Sequence, residues 1–177
     1  RLAADTSGGV IERPARAQTP RERERWEVPA ISWFASQAKA PGGGVAVLLD
    51  GPQGVDGGLA RLGVSLLRGA TWPDPSADQG QQRMRLALMP FQGSWAHAAV
   101  PQAAIAFRES GWCGPIADEQ PLRSLDGRCW FPAIPEQLCP IALRPSADGV
   151  VLQLFNPGAS RCRWRPGGGW KLGRSVA

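Results

Sequence analysis

Apolar and polar residues alternate in several short stretches of this chain. Every second position is apolar at 62–66 and at 84–88, and the positions between hold arginine or small residues. At 150–155 the intervening positions are partly apolar as well, which predicts a strand covered on both faces. Further apolar runs predict strands at 26–28, 31–35, 45–49, 103–107, 140–143 and 161–165. No stretch of 12 residues shows a convincing helical period, so strands are expected to dominate.

Glycine and proline separate the predicted strands. The 177 residues include 22 Gly and 17 Pro, many of them in turn-forming pairs such as Asp56-Gly57 and Asp148-Gly149. Many short strands joined by such turns favour an all-β fold, an antiparallel β-sandwich. The predicted organisation is an N-terminal segment at 1–25, irregular apart from a first strand, followed by a single β-sandwich domain at 26–177.

The net charge of +5 comes from the end of the chain. Residues from 161 onward hold five basic side chains and no acidic one, so the remainder is formally neutral. At 161–165 three arginines alternate with Cys162 and Trp164, which predicts an edge strand with a charged outer face. A binding site for phosphate or another polyanion is the alternative, but no nucleic-acid-binding motif accompanies it. We therefore predict no nucleic-acid partner. No membrane partner is expected either, because no apolar run approaches the roughly 20 residues of a membrane span.

Metal-ligating and nucleophilic residues are sparse. Cys113, Cys129, Cys139 and Cys162 form no closely spaced pair, and His97 is the sole histidine. A structural zinc site normally needs four ligands with short spacings, and no nucleophile motif occurs near His97. The sequence therefore predicts no metal site and no catalytic residue. The chain opens without a secretion signal or an initiator Met, so we expect a piece of a longer cytoplasmic polypeptide with free thiols.

Arg68 interrupts the apolar alternation. It is in phase with Leu62 and Leu66, so a regular strand would point the guanidinium toward the core side. An unpaired guanidinium there would cost on the order of several kcal/mol. It is therefore expected to pair with a carboxylate, for which Asp74 and Asp78 are the local candidates, or to face a crevice shared with something outside this chain.

The loop after Arg68 is stiff and unusual in composition. Pro73 and Pro75 fix their own backbone and restrict the residues before them. Trp72 and two aspartates are thereby held on a rigid arch between two strands. Such an arch suits a plug between domains or one wall of a polar cleft.

This loop carries a family resemblance. Residues 66–80 read LLRGATWPDPSADQG and closely resemble the LLRxxTWPDPxADxG motif in the C-terminal β region of bacterial-type α-mannosidases of glycoside hydrolase family 38. The similarity runs collinearly from about Gly9 to Phe155. Its other parts are IERP at 11–14, WEVPA at 26–30, GVAVLLD at 44–50, RMRLALMP at 83–90 and VVLQLFNP at 150–157. The chain departs from the family at Ala15 and Arg16, which stand where a Thr-His pair is usual.

The resemblance implies a fold and a supporting role. Family 38 enzymes are large retaining exoglycosidases that cleave terminal α-linked mannose. Their zinc ion and aspartate nucleophile lie in an N-terminal catalytic domain, which helices and β-sandwich domains follow. The chain then resembles a C-terminal domain of the galactose-mutarotase-like super-sandwich type that is inactive alone and holds no cofactor. The implied partners are the missing catalytic and helical domains of the same chain and, through the parent enzyme, a mannoside.

The resemblance also gives Arg68 a candidate role. The family lends an arginine from its β region to the edge of the active-site groove. We therefore expect Arg68 and Trp72 at a substrate or domain interface, with Asp74 and Asp78 as orienting groups. Two alternatives stay open: that Arg68 only ties down its loop, and that the chain is a stand-alone carbohydrate-binding module. Its eight Trp could supply stacking platforms, although we expect most of them to be buried.

Overall fold

The computed structural model describes residues 1–38, 42–58, 60–109, 111 and 134–166. It divides into two compact units, Arg1–Glu109 and Ser110–Ala177. The elements of the first unit are β1 (Leu2–Thr6), β2 (Gly9–Arg13), α1 (Pro20–Glu24), β3 (Val28–Ala30), β4 (Trp33–Gln37), β5 (Gly43–Leu49), β6 (Gln53–Gly57), β7 (Leu62–Ser65), β8 (Leu86–Gln92) and α2 (Val100–Arg108). The described elements of the second unit are β9 (Cys139–Ser146) and β10 (Gly149–Phe155).

The first unit consists of two antiparallel sheets. Five strands pair in the order β2-β1-β4-β5-β8, and three pair in the order β3-β6-β7. The facing sides of the two sheets share one apolar core. Its buried members are Ala4, Phe34, Val47 and Leu49 from the five-stranded sheet and Ala30 and Val55 from the three-stranded sheet. This two-layer arrangement confirms the predicted all-β, sandwich-like fold.

The opposite face of the five-stranded sheet packs against α2. Trp33, Phe91, Trp95 and Val100 belong to this second core, and the rings of Trp33 and Trp95 lie 5.0 Å apart. Successive strand residues point to opposite faces. The neighbours Trp33 and Phe34 therefore anchor the two cores from one strand.

The N-terminal residues are more regular than the sequence indicated. Two strands, β1 and β2, form in the segment for which one strand was predicted, and β1 lies between β2 and β4 in the main sheet. The segment therefore contributes to the sheet as directly as the residues after it. The predicted single domain at 26–177 stays a prediction.

Helix α1 is a short exposed turn fixed by its N-terminus. The Thr19 hydroxyl accepts a hydrogen bond from the Glu22 amide at 3.2 Å, and the Glu22 carboxylate accepts one from the Thr19 amide at 3.0 Å. Pro20 follows Thr19 at the first helical position. Hydrogen bonds to the Glu22 carboxylate from the Gln18 amide and from the Thr19 amide lower the pKa of Glu22.

The strand predicted at 103–107 is wrong. These residues belong to α2, whose buried residues Val100 and Ala104 and partly buried Phe107 recur at helical spacing. A short apolar run does not distinguish a buried strand from a buried helix by its period alone. Pro101 in the first turn is the local signal that favours the helix.

In the second unit β9 and β10 form an antiparallel hairpin. Its register shifts between Gln153 and Leu154, which marks a β-bulge. The strand predicted at 161–165 is wrong, because these residues are irregular. The alternation itself is present: the three arginines are exposed, and Cys162 and Trp164 are half-buried. The prediction for Cys113 and Cys129, and that for the basic residues after 166, lies outside the described residues.

Candidate functional site

The connection between β7 and β8 is an irregular, largely exposed arch. It runs from 66 to 85 and contains Arg68, Trp72, Asp74 and Asp78. Because β7 ends at Ser65, the strand phase does not extend to Arg68, whose side chain is 70% exposed. The prediction that Arg68 points toward the core side is therefore wrong.

Arg68 forms an ion pair with a carboxylate from a distant part of the chain. Its Nη2 donates a hydrogen bond of 2.6 Å to Oε2 of Glu27, which lies 41 positions earlier. The Glu27 side chain is only 10% exposed, so the pair joins a sheltered carboxylate to a cation that faces solvent. The expectation of a carboxylate partner is confirmed, but the local candidates for it were wrong.

Glu27 lies over a glycine that leaves room for it. A Cβ added to Gly54 on β6 would come within 1.7 Å of Glu27 Oε1. Hydrogen bonding from Ser65, and then from Arg68, lowers the pKa of Glu27. Oε1 of Glu27 is buried without a hydrogen-bond partner among the described residues. The ion pair with Arg68 therefore engages only Oε2.

The two aspartates accept hydrogen bonds from the arch itself and do not pair with the Arg68 guanidinium. Asp78 Oδ2 accepts hydrogen bonds from the amides of Arg68 at 3.3 Å and Gly69 at 3.0 Å, which ties the two ends of the arch together. Asp74 Oδ1 accepts from the Ser76 hydroxyl at 2.7 Å and amide at 2.9 Å, and these two bonds lower the pKa of Asp74. Both residues orient the arch that carries Arg68 and Trp72.

An open groove of about 300 Å³ lies beside the ion pair. Its walls include Pro29, Gly54, Leu67, Arg68 and Asp78. Leu66, Leu67 and Trp72 on the adjoining arch are exposed, and the Trp72–Pro73 peptide bond is cis. A guanidinium, a carboxylate and exposed apolar groups thus lie close together on one surface. Such a surface can bind polyhydroxylated molecules or another protein surface.

Two residues of this site escaped the sequence analysis. Glu27 and Gly54 are distant in sequence and come together only in the folded chain, so no local sequence pattern links them. A glycine inside a strand does indicate close approach of another group, and Gly54 carried that signal. Glu27 lies in the WEVPA segment, where the family resemblance was its only marker.

Another potentially reactive pair, Ser94 and His97, is close in sequence. Ser94 Oγ lies 2.8 Å from His97 Nδ1 and accepts a hydrogen bond from the His97 amide, which closes the turn before α2. Among the residues that the structure describes, no three His, Cys, Asp or Glu side chains are grouped so that they could hold a metal ion. The described residues therefore do not fit the zinc ion that the resemblance to family 38 implies.

The first part of the chain matches a family model. Residues 1–76 match the model described as "Glycosyl hydrolases family 38 C-terminal domain". Residues 1–76 are therefore similar to the C-terminal domain of family 38. The match includes Glu27, Gly54, Arg68, Trp72 and Asp74 and ends before Asp78. The predicted resemblance of the later segments at 83–90 and 150–157 to family 38 stays a prediction.

This chain is also similar to curated proteins named α-mannosidases. Alpha-mannosidase 2C1 of Homo sapiens is 38% identical over 96 residues, and that of Mus musculus is 35% identical over 97 residues; each match covers 54% of this chain. Alpha-mannosidase G of Dictyostelium discoideum is 33% identical over 92 residues, 52% of this chain. The chain spans less than a tenth of the length of these relatives, 9%, 9% and 8%. In the described part of the chain no helix has the length and apolar character of a membrane span.

Proposed function

We propose that this chain is the C-terminal β region of a retaining α-mannosidase, where it supports the catalytic domain and is inactive alone. The observation that carries this proposal is the family 38 match over residues 1–76, with relatives that are named α-mannosidases. The short share of those relatives that the chain covers agrees with a part of a larger enzyme. The substrate of that enzyme would be a mannoside with a terminal α-linked mannose.

We infer that Arg68 lies at the edge of the mannoside groove or at the contact with the catalytic domain. The ion pair with Glu27 fixes the guanidinium while leaving it 70% exposed, so its remaining N–H groups can donate to an outside acceptor. Trp72 projects from the same arch and is exposed. Asp74 and Asp78 serve as the orienting groups, since both bond to backbone of the arch.

Several finer statements belong to this proposal. The zinc ion would be held by the catalytic domain, because the described residues offer no ligand cluster. The cytoplasmic location and the bacterial type of the enzyme stay predictions, and the relatives reported above are eukaryotic.

Substitution of Arg68 in the full-length enzyme tests the role of the arch. Arg68→Ala should raise KM or lower kcat about tenfold while zinc stays bound, because a charge-assisted contact at the groove is lost. Arg61→Ala is the matched control. Arg61 is similarly exposed and likewise bonds a sheltered carboxylate, Asp56, at 2.9 Å. Equal kinetics of the two variants would remove the functional role of Arg68.

A carbohydrate-binding module is the second candidate, and the exposure of Trp72 and Trp26 favours it. Exposed indoles can stack on sugar rings. Trp33 and Trp95 are buried and Trp164 is half-buried, so the described tryptophans serve the cores as much as the surface. Titration of the isolated chain with mannosides separates the two candidates, since only the module binds them unaided.

A further inference from the structure

One row of side chains crosses the whole five-stranded sheet. Ile11, Ala4, Phe34, Val47 and Leu88 lie directly opposite one another on neighbouring strands, so their side chains share one face. The inner three are at most 4% exposed, because the three-stranded sheet covers them. Ile11 at one end is 38% exposed, and Leu88 at the other end is 73% exposed. Among the residues that the structure describes, none covers this face at β8.

The rows beside it repeat this pattern. Leu86 lies opposite the buried Leu49 and is exposed, and Pro90 lies opposite Val45, where both are exposed. We call Val45, Leu86, Leu88 and Pro90 the β8 stripe. It is an apolar surface that continues directly from the sandwich core.

The other face of β8 is covered by α2 and the core beneath it. Phe91 is buried in the core beneath α2, and Ala87 and Met89 pack against the same core. Residues 86–91 read LALMPF, a continuous apolar run. Such a run is typical of a strand that is covered on both faces, whereas a strand with one solvated face alternates. The sequence of β8 is therefore suited to cover on the side of the stripe as well.

We propose that the β8 stripe is the surface on which another domain of the same polypeptide docks; this rests on the proposed function. The matched segment makes up 8–9% of the length of the relatives, so an enzyme of that kind would hold most of its chain outside this region. An apolar patch that continues a core is the expected form of such a contact.

One feature opposes edge-to-edge pairing of β8 with a second copy. Pro90 has no amide hydrogen to donate, and proline on an edge strand opposes the addition of another strand. Val45, Leu86, Leu88 and Pro90 carry no charge, whereas Arg85 belongs to the opposite face, where its guanidinium lies 5.3 Å from the Phe107 ring of α2. The docking partner should therefore present aliphatic side chains to the stripe.

Thiol labelling of one introduced cysteine at a time tests this surface. Leu88→Cys is placed in the 177-residue chain and in the full-length polypeptide, and maleimide labelling of that position is followed by mass spectrometry. Labelling should be fast in the chain alone and at least about tenfold slower in the full-length polypeptide, because docking buries the thiol. Ile11→Cys, at the opposite end of the same row, is the matched control and should label at one rate in both.

Each other outcome has a definite meaning. Equal labelling of Leu88→Cys in both proteins would overturn the proposal. Slow labelling in the isolated chain would also overturn it, because a second copy covers the stripe if labelling becomes faster on dilution, and other residues of this chain cover it if labelling does not change. If the full-length polypeptide protects position 88 but cleaves no mannoside, the docking surface stands and the proposed function fails.

Discussion

Single glycines determine where carboxylates fit in this unit. Gly54 leaves space for Glu27, and Gly63 does the same for Asp56, whose Oδ1 would lie 2.2 Å from an added Cβ. Both carboxylates bond an exposed arginine, Arg68 or Arg61. The absence of a side chain on one strand thus allows a charged pair on its neighbour.

Gly54→Ala should expel Glu27 from its place and loosen the arch through Arg68. Overpacking of this kind typically costs about 1–3 kcal/mol in the free energy of unfolding. Gly51→Ala is the matched control. An added Cβ there meets no atom within 4 Å, so its effect should stay within about 0.5 kcal/mol. Urea unfolding of both variants measures the difference, and equal stabilities would contradict this account of Gly54.

Asp5 makes the stability of the sandwich depend on pH. Burial raises its pKa above the ordinary 3.8, although the hydrogen bond from the Ser32 hydroxyl and the charge of Arg108 oppose the rise. The folded state thus holds the proton more tightly than the unfolded state. The ionised form costs stability: the cost is absent below about pH 3.8 and complete once the pH exceeds the folded pKa.

Asp5→Asn removes this titration and keeps an oxygen acceptor for Ser32. The variant should therefore gain more stability over the wild type near pH 7 than near pH 3. Unfolding midpoints in urea at the two pH values measure the gain. An equal gain at both, or a larger one at the acidic value, would show that burial does not govern Asp5.

At the scale of elements, α2 begins in a strained conformation. Its N-cap residue, Ala99, has φ +52° and makes no side-chain cap hydrogen bond. A residue with a Cβ pays roughly 1–2 kcal/mol for this left-handed conformation, and glycine pays little. The helix is retained because Val100 and Ala104 are fully buried against the sheet.

Ala99→Gly should therefore stabilise the unit by about 0.5–1 kcal/mol, since relief of strain exceeds the entropy lost with glycine. Ala106→Gly is the matched control: it lies on the exposed side of the same helix and should cost about 1 kcal/mol. Thermal unfolding of the two variants should thus move in opposite directions. Loss of stability in both would contradict the strained start of α2.

The sequence predicts elements well where periodicity is strong. The strands at 45–49, 62–66 and 150–155 appear as β5, β7 and β10, because each has a clear apolar pattern bounded by turn residues. The strand prediction at 103–107 was wrong because the segment AAIAF is too short for its period to distinguish a strand from a helix. At 161–165 the alternation survives without a strand.

At the scale of the whole molecule, the motif at 66–80 was more informative about family and function than any periodic pattern. The family match over residues 1–76 agrees with it, whereas composition and charge indicated only a globular β protein. The pairing of Arg68 with Glu27 could not be predicted, because the two residues meet only after β3, β6 and β7 assemble.

Mannoside hydrolysis tests the central claim most directly. The purified full-length polypeptide and the 177-residue chain are each incubated with an aryl α-mannoside, and released mannose is measured. We predict turnover by the full-length polypeptide and none by the chain, because the described residues hold neither a metal cluster nor a predicted catalytic residue. Mannose release by the chain unaided, or an inactive full-length polypeptide with zinc supplied, would contradict the account.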